Sequence, residues 1–110
     1  MHDIKHITPV FAVSPQITTA QLPQLRRAGF SCVICNRPDH EDAGQPTFAD
    51  IKAAAELAGL EAHHIPIRPG EATRDDLAAF DGVVTAARGK VLAYCRSGGR
   101  AQSLFAAIRR

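Results

Sequence analysis

VLAYCRSGGRAQSLFA, residues 91–106, passes from a short apolar run through Cys95 into a helical pattern. Lys90 to Tyr94 has the length and apolar character of a buried parallel strand. Arg100 to Arg110 repeats apolar residues at helical spacing, with Leu104 and Ile108 facing inward. Cys95 stands at the strand end and Arg100 at the helix start, with Arg96, Ser97, Gly98 and Gly99 between them. In a parallel sheet, ligands bind beyond the carboxyl ends of the strands. A tight glycine-bearing loop entering a helix turns its backbone N–H groups inward and forms a nest for an anion. The helix terminus adds partial positive charge. A thiol held there becomes a thiolate below its ordinary pKa, and the guanidinium of Arg100 offers a planar fork to an anionic substrate. Cys95 is therefore the expected nucleophile, Arg100 its partner, and residues 96–99 the anion-binding loop. A buried structural cysteine ahead of a simple glycine turn explains less of this pattern.

Outward from this stretch, the chain alternates strand-like and helix-like segments. Extended pieces are expected around Ile4 to Ile7 and Val10 to Val13, and a helix from Thr19 to Ala28 that Gly29 ends. Ser31 to Asn36 reads as a buried central strand, followed by a polar loop, Arg37 to Pro46. Thr47 with Asp50 opens a helix striped by Phe48, Ile51, Ala55 and Ala58, which Gly59 closes. Glu61 to Ile67 is the next strand. Thr73 with Asp76 caps a helix through Leu77, Phe80, Val84 and Ala87, ending at Gly89. The expected class is α/β: one layer of mostly parallel strands flanked by helices, a single domain over 1–110. The final helix reaches the chain end, so the native protein is expected to extend further.

Composition narrows the function. Hydrophobic residues make up 45% and charged residues 22%, ordinary for a globular domain. Three cysteines and no secretory pattern point to a reduced, cytoplasmic setting. Residues 1–15 carry Asp3, Lys5 and two histidines, which fits neither a signal peptide nor an anchor. No apolar run is long enough to span a bilayer. The net charge of +2 comes from scattered basic residues and aromatics are 5%, so nucleic acid is an unsuitable partner. No cofactor is implied. Cys32 and Cys35 have C-x-x-C spacing, but an offset of three in a strand sends them to opposite faces, which favours core packing. His63-His64 lacks a second ligand pair at metal spacing. Arg68 and Arg96 could widen the positive field at the cradle.

The strand–Cys–loop–Arg–helix pattern resembles the cysteine phosphatases and the rhodanese sulfurtransferases. The wider chain resembles the bacterial beta-lactamase-hydrolase-like domain, which has a dual-specificity-phosphatase-like fold. The similar stretches are GFSCVICNRPDHEDAGQPTF (29–48), HHIPIRPG (63–70) and VLAYCRSGGRAQSLFA (91–106). The resemblance implies that fold and a catalytic Cys95 with Arg100. Some family members carry a sulfur-transferase label, and the resemblance suggests a persulfide-oxidising enzyme as a partner.

Four departures from tyrosine phosphatases bear on the chemistry. Those enzymes have five residues between cysteine and arginine, whereas CRSGGR has four, the rhodanese count. Tyr94 replaces their usual histidine, and Ala101 replaces the hydroxyl that follows the arginine. Arg68-Pro69-Gly70 stands where their general acid lies. Asp75 and Asp76 suit capping, which leaves Asp39 and Glu41 in the loop after the central strand as the acid/base candidates. Ester hydrolysis needs a protonated leaving group and persulfide exchange does not. The chain alone therefore favours sulfane-sulfur transfer through a Cys95 persulfide, on a small anionic or persulfide substrate. Phosphatase action through a phosphocysteine is the alternative, and a non-catalytic anion-sensing or docking domain the third reading.

Overall fold

In the computed structural model, which describes residues 3–109, five strands form one sheet in the order β1-β2-β5-β3-β4. The strands are Lys5–Thr8 (β1), Phe11–Ser14 (β2), Phe30–Cys35 (β3), Glu61–His64 (β4) and Lys90–Tyr94 (β5). Only β1 runs antiparallel, against β2; β2, β5, β3 and β4 are parallel. The helices are Leu22–Arg27 (α1), Phe48–Ala58 (α2), Arg74–Ala86 (α3) and Gly99–Ile108 (α4). The expected α/β layer is therefore present, and β5, the strand that leads to Cys95, lies at its centre.

Strand alternation builds two cores. Cys32, Ile34, Val91 and Ala93 face α3 and α4, packing with Phe80, Leu104 and Phe105. Val33, Cys35, Leu92 and Tyr94 face α1 and α2, packing with Leu22, Leu25 and Ile51. Cys32 and Cys35 thus lie in different cores, as their spacing required. Phe105 stacks on Phe11 of β2 with ring centroids 3.9 Å apart, a contact worth about 1 kcal/mol beyond burial. It fixes α4 against the sheet, and with it the first turn that carries Arg100.

Element ends depart from the sequence reading where backbone chemistry intervenes. The segment expected as one helix from Thr19 is a 3-10 turn, Thr19–Gln21, followed by α1. An α-helix starting at Thr19 would need an N–H from Pro23, which has none. β4 ends at His64 rather than Ile67, because Pro66 cannot donate to a ladder. Ile65 and Ile67 nevertheless donate to the carbonyls of Cys35 and Asn36. Thr73 and Asp76 form the full reciprocal cap of α3 at 2.9 and 3.1 Å. At α2 only half the box exists: Thr47 Oγ1 accepts from Asp50 N, and no return bond is made. α3 ends at Ala86 rather than Gly89. α4 begins at Gly99 and ends at Ile108, while Arg110, the expected helix end, lies outside the described residues.

Candidate active site

Cys95 follows β5 at the carboxyl edge of the sheet and has no exposure to solvent. The chain turns sharply at Gly98, whose φ of 95° lies in the left-handed region that favours glycine. That turn points the Gly98 N–H at the Cys95 sulfur, 3.1 Å away. Gly99 is the first helical residue and needs no such freedom, so only one of the paired glycines has the expected conformational role. Burial by itself pushes the Cys95 pKa up. The backbone N–H groups of Ala101, Ser97, Arg100 and Gly98 outweigh it, and the thiol ends below its ordinary value. Burial instead pushes Cys32 up to about 12, and it raises Cys35 as well. Only Cys95 is poised as a thiolate.

Arg100 stands in the first turn of α4, where Glu41 above all, and Cys95 after it, hold its charged form. Its Nη1 donates to the Ile67 carbonyl at 2.9 Å. Asn36 sets that carbonyl in place: its Nδ2 donates to Ile65 O at 2.9 Å, and its own carbonyl accepts from Ile67 N at 3.3 Å. Glu41 takes the outer edge of the guanidinium, Oε2 to Nη1 at 2.7 Å and Oε1 to Nη2 at 2.9 Å. Arg100 Nε has no partner among the described residues, so a substrate oxyanion can still use that side of the fork.

Behind Glu41 lies Arg37, the first residue of its loop and a side chain only 3% exposed. Its Nε bonds Glu41 at 2.8 Å, Nη1 bonds Gln16 at 2.9 Å, and Nη2 pairs with Asp42. Asp42 also meets Arg96 Nε at 3.0 Å. The Arg37–Pro46 loop is thereby tied to the cradle by two carboxylates and three arginines. Pairing with Arg100, ahead of that with Arg37, pulls the Glu41 pKa down to about 2. In this geometry Glu41 is an ionised acceptor. Asp39 Oδ1 accepts from Phe48 N at 2.8 Å and so caps the start of α2.

The other sequence candidates fall outside the cradle. Tyr94 is buried in the opposite core with its hydroxyl unpartnered. His63 bonds Glu61, whereas His64 bonds the Arg37 carbonyl and stacks on Phe48. Sequence reading missed Arg37, Gln16 and Asn36. A positional signal existed for Arg37, an arginine immediately beyond a central parallel strand.

A cleft of about 850 Å³ opens beside the cradle. Its polar lining includes Glu41, Asp42, Arg96, Ser97 and Arg100, and its apolar lining Pro69, Ala72, Leu77, Leu104 and Ala107. Arg100 lines the cleft, and the Cys95 thiolate adds to what holds its charged form. Among the described residues, no helix is long and apolar enough to cross a membrane.

Known proteins resemble this chain in sequence and fold. The family described as beta-lactamase hydrolase-like protein, phosphatase-like domain, matches residues 3–109. A beta-lactamase hydrolase-like protein of Agrobacterium fabrum is 37% identical over 93 residues, which is 84% of this chain and 22% of the relative. The chain thus spans less than a quarter of that relative's length. A candidate phosphatase from Neisseria meningitidis superposes with a TM-score of 0.85 at 38% identity, covering 96% of this chain and 74% of that one. TpbA of Pseudomonas aeruginosa, crystallised with phosphotyrosine, has a TM-score of 0.68 at 19% identity over 96% of this chain and 60% of its own, a likeness of fold.

Proposed function

Because the chain belongs to the beta-lactamase hydrolase-like, phosphatase-like domain family, we propose that it is a cysteine-dependent phosphatase acting through a phosphocysteine at Cys95. The observation that carries this reading is the buried Cys95 sulfur, which the Gly98 N–H meets at 3.1 Å and the loop amides hold below its ordinary pKa, with Arg100 in the adjoining helix turn. The thiolate attacks phosphorus in line with the leaving oxygen; an S–P bond forms and the P–O bond breaks. Three phosphoryl oxygens develop charge where the loop amides and the Nε side of Arg100 can meet them. Water then attacks the phosphocysteine, the S–P bond breaks, and phosphate and the thiolate are released. Arg37 and Glu41 act one step back, as positioning residues for Arg100.

The likeness to phosphatases reverses the order favoured by the chain alone, which put sulfur transfer first. Sulfur transfer stays as the second reading on two observations: the four-residue loop and the ionised state of Glu41. Kinetics with p-nitrophenyl phosphate beside thiosulfate and glutathione persulfide test the choice. Phosphate release that is lost in Cys95→Ser supports the phosphatase. Sulfur loading of Cys95 in mass spectra, with no phosphate release, overturns it.

A further inference from the structure

Two features of the cleft bear on the substrate, given that the site transfers phosphate. The first is the state of its acids. Glu41 and Asp42 are the carboxylates that line it, and both are engaged by arginines: Glu41 by Arg100 and Arg37, Asp42 by Arg37 and Arg96. Neither is placed to give a proton to a leaving oxygen. The second is the wall. The chain has five phenylalanines, one tyrosine and no tryptophan. Phe11, Phe30, Phe80, Tyr94 and Phe105 are buried and Phe48 is stacked on His64, so among the described residues no aromatic side chain lines the cleft. Its apolar side is aliphatic.

A leaving group that departs unprotonated must be a weak base. A tyrosine phenol has a pKa of about 10, whereas an aliphatic carboxylic acid resembles Asp and Glu at about 4. An aliphatic wall also suits an aliphatic body and gives an aromatic ring no stacking partner. We infer that the substrate is an aliphatic acyl phosphate, the mixed anhydride of phosphate and a short carboxylic acid. This rests on the phosphatase reading and sharpens it. Cys95 attacks phosphorus, the S–P bond forms, and the bond from phosphorus to the acyl oxygen breaks. The carboxylate leaves with that electron pair and takes no proton. Water then cleaves the S–P bond, giving phosphate and the thiolate, with one proton passed to solvent. Leu77 and Leu104 offer the acyl chain apolar lining, and Ser97 and Ser103 bring hydroxyls to the same cleft.

The test compares butyryl phosphate, acetyl phosphate, n-butyl phosphate, p-nitrophenyl phosphate and phosphotyrosine on the purified chain. Butyryl phosphate is expected to exceed phosphotyrosine by about a hundredfold or more in kcat/KM, since it lacks the phenol's need for a proton. The gain per added methylene from acetyl to butyryl phosphate should be about fourfold, the value of a buried CH2. That gain should shrink in Leu77→Ser. n-Butyl phosphate should protect Cys95 from iodoacetamide yet release no phosphate. Acid quench should trap a phosphoryl adduct on Cys95. Turnover of n-butyl phosphate or phosphotyrosine at the butyryl phosphate rate would overturn the inference, as would a flat chain-length series or an acyl adduct on Cys95. Phosphate release from p-nitrophenyl phosphate, and its loss in Cys95→Ser, reports separately on the phosphatase reading.

Discussion

Glu41 meets Arg100 with both carboxylate oxygens, at 2.7 and 2.9 Å, across 59 residues of chain. The pair joins the loop after β3 to the first turn of α4, so two elements distant in sequence jointly set one guanidinium. Glu41 uses Nη1 and Nη2 and leaves Nε unpartnered. It therefore orients the fork without filling the side a substrate would use. Glu41→Gln should lower kcat/KM about tenfold. This is less than the loss of a whole preorganised donor, because the amide oxygen can still accept one bond. Alkylation of Cys95 by iodoacetamide should become faster in the same variant, since a negative charge in the cradle's neighbourhood is gone. A purely structural defect would slow turnover without speeding alkylation, and paired rate measurements distinguish the two.

The same ion pair gives the fold a dependence on acid. The Glu41 pKa falls from an ordinary 4.5 to about 2 in the folded chain. A depressed carboxylate contributes stability that is complete above about pH 5 and is lost as pH falls through the folded value. Melting temperatures between pH 5 and pH 2 should thus fall more steeply for the wild type than for Glu41→Gln. Parallel curves would remove Glu41 as a source of acid sensitivity.

Gly98 and Gly99 are adjacent and alike in sequence, but they should respond differently to alanine. Gly98 has a φ of 95°, and an added Cβ would lie 3.4 Å from the Ser14 carbonyl carbon. The left-handed conformation costs an L-residue roughly 1–2 kcal/mol, and any relaxation moves the N–H that points at Cys95. Gly99 is already helical, and its added Cβ would touch only Ser97 Oγ at 3.5 Å. Gly98→Ala should reduce both stability and activity, while Gly99→Ala should keep the melting temperature at or above that of the wild type. Thermal melts with rates on one aryl phosphate decide the matter.

Sequence reached this site unevenly, for a physical reason. The cradle is local: a strand, a cysteine, a glycine turn and a helix start lie within a dozen residues, so spacing alone revealed it. The α3 cap was legible in the same way, through Thr73 and Asp76 three residues apart. The role of Arg37 was not, beyond its position after a central strand, because its partners come from residues 16, 41 and 42 and its burial exists only once those segments meet. Glu41 was legible as a loop carboxylate near the strand ends. Its commitment to Arg100 was not, since no local pattern encodes a contact that spans 59 residues. Gly99 shows the opposite error: a glycine pair suggests two special conformations, and the chain uses one. The order of sulfur and phosphate chemistry was inferred from loop length and missing groups. Such absences in a linear chain weigh less than the close likeness of the whole domain to a candidate phosphatase.

Arg100 separates an enzyme from a domain that merely holds an anion. Its guanidinium lines the cleft and feels the charge of the Cys95 thiolate, whereas the loop amides that depress the thiol's pKa belong to the backbone. Arg100→Lys keeps the charge but loses the planar fork and the bidentate match to Glu41. Turnover should fall by about one to three orders of magnitude, the scale for loss of a preorganised donor. Cys95 should still react with alkylating agents ahead of Cys32 and Cys35 at mildly acidic pH, because the amides remain. Cys95→Ser should abolish turnover while phosphate still binds in calorimetry, since Gly98, Arg100 and the helix terminus are unchanged. Wild-type turnover in both variants would leave neither residue a chemical role. Loss of turnover together with loss of Cys95 reactivity in Arg100→Lys would instead mean that the arginine, rather than the amides, sustains the thiolate.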